Sequence, residues 1–573
     1  MKKLIALLLA LTMVFSMVAC GTKEEAAPEA APEAAPEAAP EAAPEAAPEA
    51  APEAAPEAED PADVAYVKLR WEFINSTQSG FMTPIAMGNY LDTNLIWSTL
   101  IRLDTETGDV IYDLAEKMDI SADGLTYTFT LADAYWHDGE PVVADDVVFT
   151  YNNLLLGPNQ QYASRLSGIK GYDDVVNGKA SSIAGIYATD DKTVVFELTS
   201  PNYLVLAADS NTNLFAFGPF SILPAHVFAD TAWADIEAHE YWTKPIGTGP
   251  FVVEEVSYPN YCVLTRNENY HGGTVAAEKV LLTAYADAES QLAAALAGEC
   301  YSIRSIDKAS AEAAIAQNPD LAYFEHGSAF TRTFEFAMFD GTQYPDMQKA
   351  EVRQALNLII DKQAISDYWG AATPATNYNN NSEYNTDIPK WERDVETGVQ
   401  MLKDAGFDFN QTLNILYYYT DQASVDILDI IVANLAEAGI SAEYTLDAQT
   451  PNDSFKTGAY AMIYRGVGYN TAVYNTITPD GSKEMMFNGF EADRRAEYAT
   501  LWAKYTQTAD AAGRKAIAAE LQTLYMEDMY LIPIYFMNTG YLVNTAKLQG
   551  WTGVSNDFES LIDYNIDEWT VTQ

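Results

Sequence analysis

Proline stands at every fourth position from Pro28 to Pro56, in a repeat of Ala-Ala-Pro-Glu. One proline per turn removes a helical hydrogen bond and drives its ring into the preceding turn, so no continuous helix forms there. The glutamates Glu29 to Glu57 repel one another and extend the chain further. At about 3.1 Å per residue in a polyproline-like conformation, such a segment reaches on the order of 100 Å. The repeat therefore divides the sequence. Residues 1–20 read as a leader, 21–63 as a disordered Ala-Pro-Glu linker, and residues 64–573 must carry the folded structure.

In the leader, Lys2 and Lys3 precede the apolar run Leu4 to Val14, and Met17-Val-Ala-Cys20 closes it. A basic start, a short apolar core and small residues before a cleavage point describe a secretory signal. The run is too short for a comfortable membrane span. Cys20 after Val18-Ala19 resembles the bacterial lipobox, with Met17 in place of the usual leucine. On that reading Cys20 becomes the first mature residue and carries a lipid, and the linker lifts the body through a cell wall. An ordinary signal peptide with an incidental cysteine is the alternative.

The body is longer than one core usually supports, so several lobes are expected. No second membrane span appears in it. A formal net charge of −50, most of it in the body, argues against nucleic-acid binding, because a phosphate backbone would be repelled. Besides Cys20 there are only Cys262 and Cys300, a pair that an exported protein either bridges or leaves free. His137, His226, His239, His271 and His326 are scattered without metal-ligand spacing, so neither a metal site nor a cofactor is expected.

Local patterns follow in order. Val64 to Phe73 reads as an edge strand before the polar loop Asn75-Ser76-Thr-Gln-Ser-Gly80. Tyr127-Thr-Phe-Thr-Leu131 alternates as a half-buried strand and runs through Tyr135-Trp-His-Asp-Gly139 into an acid-started helix at Asp145-Asp146. Thr193 to Leu198 is another half-buried strand. In Pro245-Ile-Gly-Thr-Gly-Pro-Phe251, Gly247 and Gly249 are expected to supply conformational freedom to a tight turn. Ala288 to Gly298 predicts a helix with Leu292 and Leu296 on its apolar face, ended by glycine. Glu351 to Asp361 places Val352, Ala355, Leu356 and Ile359 on one helical face. Ser424 to Gly439, then Ala442 to Leu446, reads helix, glycine, strand: an α/β unit.

Taken in order, these segments resemble the bacterial extracellular solute-binding proteins of family 5, the peptide/nickel class of ABC-importer receptors. The resemblance rests on the Tyr127–Tyr151 segment, Gly247-Thr-Gly-Pro250 with Asn269-Tyr-His-Gly-Gly273, Val352-Arg-Gln-Ala-Leu356, the Val399–Gly406 helix ending, and Tyr530-Leu-Ile-Pro-Ile-Tyr535. It covers the chain from about Val64 to the C-terminus. Three positions depart from the pattern: Val143 replaces a threonine helix cap, His271 a tryptophan, and Gly468 an aspartate.

The resemblance implies an α/β, two-lobed periplasmic-binding-protein-like fold of type II, with an extra domain inserted in the first lobe and a cleft that closes on a hinge. Residues 64–324 would form lobe I, with the insertion at about 89–185, completed by about 534–573; residues 325–533 would form lobe II. The pocket would lie among the loop after the first strand (Asn75, Ser76), the 371–385 loop (Tyr378, Asn379) and the segment carrying Arg465, Tyr469 and Asn470. In peptide-binding members the aspartate at the Gly468 position pairs with the ligand's α-amine. A buried ammonium without a carboxylate is costly, so that site needs another acid here. The amide and aromatic residues also suit an oligosaccharide. Arg465 is suited to a carboxylate or to a rim ion pair. Tyr417-Tyr-Tyr419 ends a strand at the edge of the cleft or in the core.

The function expected is a lipid-anchored, monomeric substrate-binding component of an ABC importer on the extracytoplasmic face of the cell membrane. It would capture an oligopeptide and pass it to the permease subunits. An oligosaccharide receptor of the same fold and a ligand-sensing surface lipoprotein are the alternatives. A surface hydrolase is disfavoured: the sequence has no Gly-x-Ser-x-Gly elbow and no His-Glu-x-x-His helix, so no enzyme activity is expected.

Overall fold

In a computed structural model of the chain, the residues described are 66–71, 81, 84, 91–103, 109–206, 213–216, 218–370, 372–375, 391–468, 492–551 and 568–572. The leader, linker and Cys20 lie outside them, as do Asn75, Ser76, Tyr378, Asn379, Tyr469 and Asn470. The elements begin with β1 (Tyr66–Arg70), α1 (Leu91–Ile96) and the antiparallel pair β2 (Ile101–Leu103) and β3 (Val110–Tyr112). Next come β4 (Ala115–Ile120), β5 (Thr126–Leu131), α2 (Ala144–Leu156), α3 (Tyr172–Val176), β6 (Ile186–Asp190) and β7 (Thr193–Glu197). These strands form an antiparallel sheet in the order β4-β5-β7-β6.

Strand β5 alternates as the sequence implies, with Tyr127, Phe129 and Leu131 buried. Its neighbour β7 instead buries Val194, Val195 and Phe196 in succession. At the start of α2, Val143 has no side chain able to cap. Asp146 does the work one turn in: its Oδ2 accepts from the Val143 N–H at 3.0 Å and from Trp136 Nε1 at 3.2 Å, and its Oδ1 from the Ala225 N–H at 2.9 Å. A buried carboxylate thus stands in for the missing threonine.

A second sheet combines β1 with β8 (Phe251–Ser257), β9 (Tyr261–Arg266) and β10 (Lys279–Thr283), in the order β1-β10-β9-β8. The turn before β8 corrects the expectation for its glycines. Neither Gly247 nor Gly249 has a positive φ. A Cβ on Gly247 would lie 1.8 Å from the Ile96 carbonyl oxygen, and one on Gly249 2.7 Å from the Ile96 carbonyl carbon. These glycines are there for space against the end of α1 rather than for a special conformation. His137 fastens the same turn, accepting the Gly247 N–H on Nδ1 at 3.0 Å and meeting the Gly249 carbonyl through Nε2 at 3.1 Å. His271 pairs with buried Asp113 at 2.8 Å, joining the turn after β9 to the start of β4. Cys262 and Cys300 are both buried and neither is in a disulfide.

The third sheet is the largest. After α4 (Ala288–Ala297), β11 (Ser302–Arg304) and α5 (Lys308–Gln317) comes the long strand β12 (Leu321–Phe336). Then follow α6 (Ala350–Ile359), α7 (Lys362–Trp369), β13 (Ala372–Pro374), α8 (Val395–Asp404), β14 (Leu413–Tyr417) and α9 (Gln422–Glu437). The chain continues through β15 (Ala442–Leu446), α10 (Pro451–Lys456), β16 (Met462–Gly468), α11 (Ala492–Thr506), α12 (Ala511–Asp528) and the long β17 (Leu531–Asn544). The strand order is β11-β17-β12-β16-β14-β15, with β13 on β17. Two short strands, β18 (Leu548–Gln549) and β19 (Thr570–Val571), pair near the C-terminus.

The expected face of α6 is buried: Val352, Ala355, Leu356 and Ile359 are fully covered. α4 differs in detail, burying Gln291 and Ala295 while Leu292 and Leu296 are only partly covered. β14, α9 and β15 make the expected α/β unit, the two strands lying parallel. β12 and β17 pair along almost their whole length, with slips in register between Gly327 and Thr331 and between Arg332 and Thr333. At the second slip β17 carries Pro533, which has no N–H to give to a ladder.

Candidate ligand site

The parallel strands β14 and β16 lie side by side, with Tyr417 at the end of β14 opposite Tyr464, and β12 runs antiparallel to β16 along its other edge. The carboxyl ends of parallel strands are where open α/β sheets take their ligands. Here that end gathers four tyrosines around one cation. Arg332 of β12 lies between Gly466 of β16 and Tyr535 of β17. Its guanidinium carbon sits 3.9 Å from the centre of the Tyr419 ring, a cation–π stack, and Nη1 donates to the Tyr419 hydroxyl.

That hydroxyl also accepts the Gly466 N–H at 2.6 Å and lies 3.0 Å from the Tyr418 hydroxyl. Behind the stack, the hydroxyls of Tyr464 and Tyr535 meet at 2.9 Å. Gly466 is what makes the arrangement possible: a Cβ there would lie 2.5 Å from Arg332 Nη1 and 2.9 Å from the Tyr419 hydroxyl. Burial raises the phenols of Tyr419, Tyr464 and Tyr535 above their ordinary value. They are neutral hydrogen-bonding groups at ordinary pH, and none is a counter-anion for Arg332.

Successive residues of a strand point to opposite faces, so Arg465, next to Gly466, looks the other way. Its Nη1 is 3.1 Å from Oε2 of Glu335, which is 1% exposed, and 3.4 Å from Oδ1 of Asn452 in α10. Arg465 is thus already charge-balanced within the protein. Gly468 closes β16 opposite Phe330. Of the residues expected at the pocket, only Arg465 falls within the described part. Tyr417 belongs to the core and Tyr419 carries the Arg332 stack.

Sequence reasoning passed over Arg332. The available signal was Thr331-Arg-Thr-Phe-Glu335, a charged residue on the same strand face as an apolar one, next to a run of tyrosines elsewhere in the chain. Among the described residues no group of three or more metal-ligating side chains clusters, and no helix is long and apolar enough to cross a membrane.

The fold is mixed α/β, of the type II class found in periplasmic solute-binding proteins. Residues 109–511 match the family described as bacterial extracellular solute-binding proteins, family 5 Middle, and the chain belongs to that family. It is therefore of the class of extracytoplasmic substrate-binding components of ABC importers, whose members are transport binding proteins rather than enzymes. A Brucella ovis protein provisionally named an ABC transporter peptide-binding protein is 30% identical over 415 residues, covering 68% of this chain and 71% of its own. Di/tripeptide-binding protein 4 of Pseudomonas aeruginosa is 27% identical over 480 residues, 78% of this chain and 87% of its own. In fold, the chain is similar to the ABC transporter substrate-binding protein CtaP of Listeria monocytogenes, with a TM-score of 0.68 at 21% identity, covering 89% of this chain and 98% of that one.

Proposed function

We propose that this protein captures oligopeptides in an interlobe cleft and delivers them to an ABC permease, working as a monomer held at the extracytoplasmic membrane face by a lipid on Cys20. The observation that carries the reading is the β12–β17 pair. On one stretch β17 pairs with β11 and on another with β13, while β12 pairs with β16, and the shared ladder slips twice, once before the β16-paired stretch and once within it. Two paired strands with irregular register suit a hinge between lobes, because bending there breaks few bonds. Peptide as the ligand class is supported by the names of the Brucella and Pseudomonas relatives. Contacts from Asn75, Ser76, Tyr378, Asn379, Tyr469 and Asn470 are part of the same proposal, while Arg465 is committed to Glu335.

An oligosaccharide receptor of the same fold is the second reading. Gly468 favours it, standing where peptide-binding members hold an aspartate for the α-amine. A thermal-shift screen against di- to hexapeptides, oligosaccharides and metal ions separates the two. A ligand present at about 100 times its Kd adds roughly 2.7 kcal/mol to stability, so binding is read as a raised melting temperature. Peptides are expected to stabilise; stabilisation by sugars alone would overturn the peptide reading.

A further inference from the structure

Beside the end of β14, the Arg332 cation has no anion among the described residues. Among the described residues no carboxylate pairs with Arg332, and the groups that act on it are the Tyr419, Tyr535 and Tyr464 phenols. Glu335, three residues along β12, faces away and is committed to Arg465. Asp421, the acid felt by Tyr535, has both oxygens engaged by Ser424. Arg332 Nε is buried and makes no hydrogen bond. A half-buried guanidinium with no counter-ion among the described residues is an expensive arrangement if it serves packing alone. The chain nevertheless keeps Gly466 bare to admit it and sets it over the face of an aromatic ring. Stacking fixes the plane of the fork, which is the geometry that recognises a carboxylate by parallel hydrogen bonds.

We infer that Arg332, oriented by Tyr419 across Gly466, is the anion-holding position of the ligand cleft and takes the terminal carboxylate of a bound peptide. The inference rests on the peptide-capture reading and adds to it which end of the ligand is read on this strand. Since the position of the amine-binding aspartate is Gly468, the ligand would be anchored chiefly by its acid end. The charge of Arg465, already balanced by Glu335, is not needed for that task.

The test uses the purified full chain, with di- to hexaalanine as free acids and as the corresponding C-terminal amides, in calorimetric titrations. The free acids are expected to bind at least about tenfold more tightly than the amides, a gap of roughly 1.4 kcal/mol. In Arg332→Gln that preference should vanish, with the free acid falling to the affinity of the amide and the amide unchanged. Arg332→Lys keeps the charge without the planar fork, and should retain only part of the preference. It serves as the readout if Arg332→Gln fails to fold.

Equal binding of acid and amide to the wild type, or an acid preference that survives both substitutions, would overturn the inference while leaving a peptide receptor intact. Binding of neither series, with sugars bound instead, would remove the peptide reading and this inference together.

Discussion

Lys362 is a buried amine held by neutral acceptors. Its Nζ donates to Asn357 Oδ1 and to the Ala375 carbonyl, both at 2.7 Å, fastening β13 to the junction of α6 and α7. Burial pulls its pKa down to about 7, whereas an unfolded chain holds lysine near about 10.4. Between these values the unfolded state binds more protons than the folded one, so stability from this group rises with pH, by at most about 1.4 kcal/mol per unit. Below about pH 7 both states carry the proton and the burial penalty is present in full. The stability gap between wild type and Lys362→Met, measured by urea unfolding, is therefore expected to be flat below pH 7 and to widen in favour of the wild type from pH 7 to 9. Parallel profiles for the two proteins would show that the amine does not titrate in this window. No sequence pattern announced this residue: a lysine at a helix start reads as solvated, and only its burial in the tertiary structure takes its water away.

At the scale of elements, α2 shows how a missing local signal is replaced. A valine at the cap position would cost about 1 kcal/mol if nothing answered it. The acid expected to help through the helix dipole does more than that, since Asp146 accepts three hydrogen bonds while buried, one of them from Ala225 far along the chain. Asp146→Ala should therefore destabilise the protein by about 3 kcal/mol, well beyond a surface cap, because one buried and two half-buried donors lose their acceptor. Thermal unfolding at neutral pH reads this, and a loss no larger than that of Asp145→Ala would reduce Asp146 to an ordinary first-turn acid. The glycines of the Gly247 turn carry the same lesson from the other side. Their presence was plain in the sequence, but their cause is the carbonyl of Ile96, a contact between distant segments that no local rule contains.

For the whole molecule, the linker and the body are separate problems. On the proposed spacer reading, residues 26–57 contribute nothing to ligand capture, so their deletion is expected to leave peptide affinity within about twofold, ~0.4 kcal/mol. A larger change by calorimetry would give the repeat a binding role. The body's character was legible from the chain itself. Alternation in Tyr127–Leu131, the apolar face of Val352–Ile359 and the Ser424–Leu446 unit each report burial that periodicity encodes directly, and together their order pointed to the family. The candidate site was legible only as chain segments. What sequence alone determined is whatever depends on neighbours along the chain: helix and strand periods, the proline block on helix in the linker, the excess of negative charge. What only the tertiary structure decided is which charges meet. Arg465 and Arg332 look alike as basic residues in polar–apolar strands, yet one faces Glu335 and the other the ring of Tyr419. That difference arises because β12, β14 and β16 are brought side by side from positions far apart in sequence, and electrostatic partnership depends on distance in space.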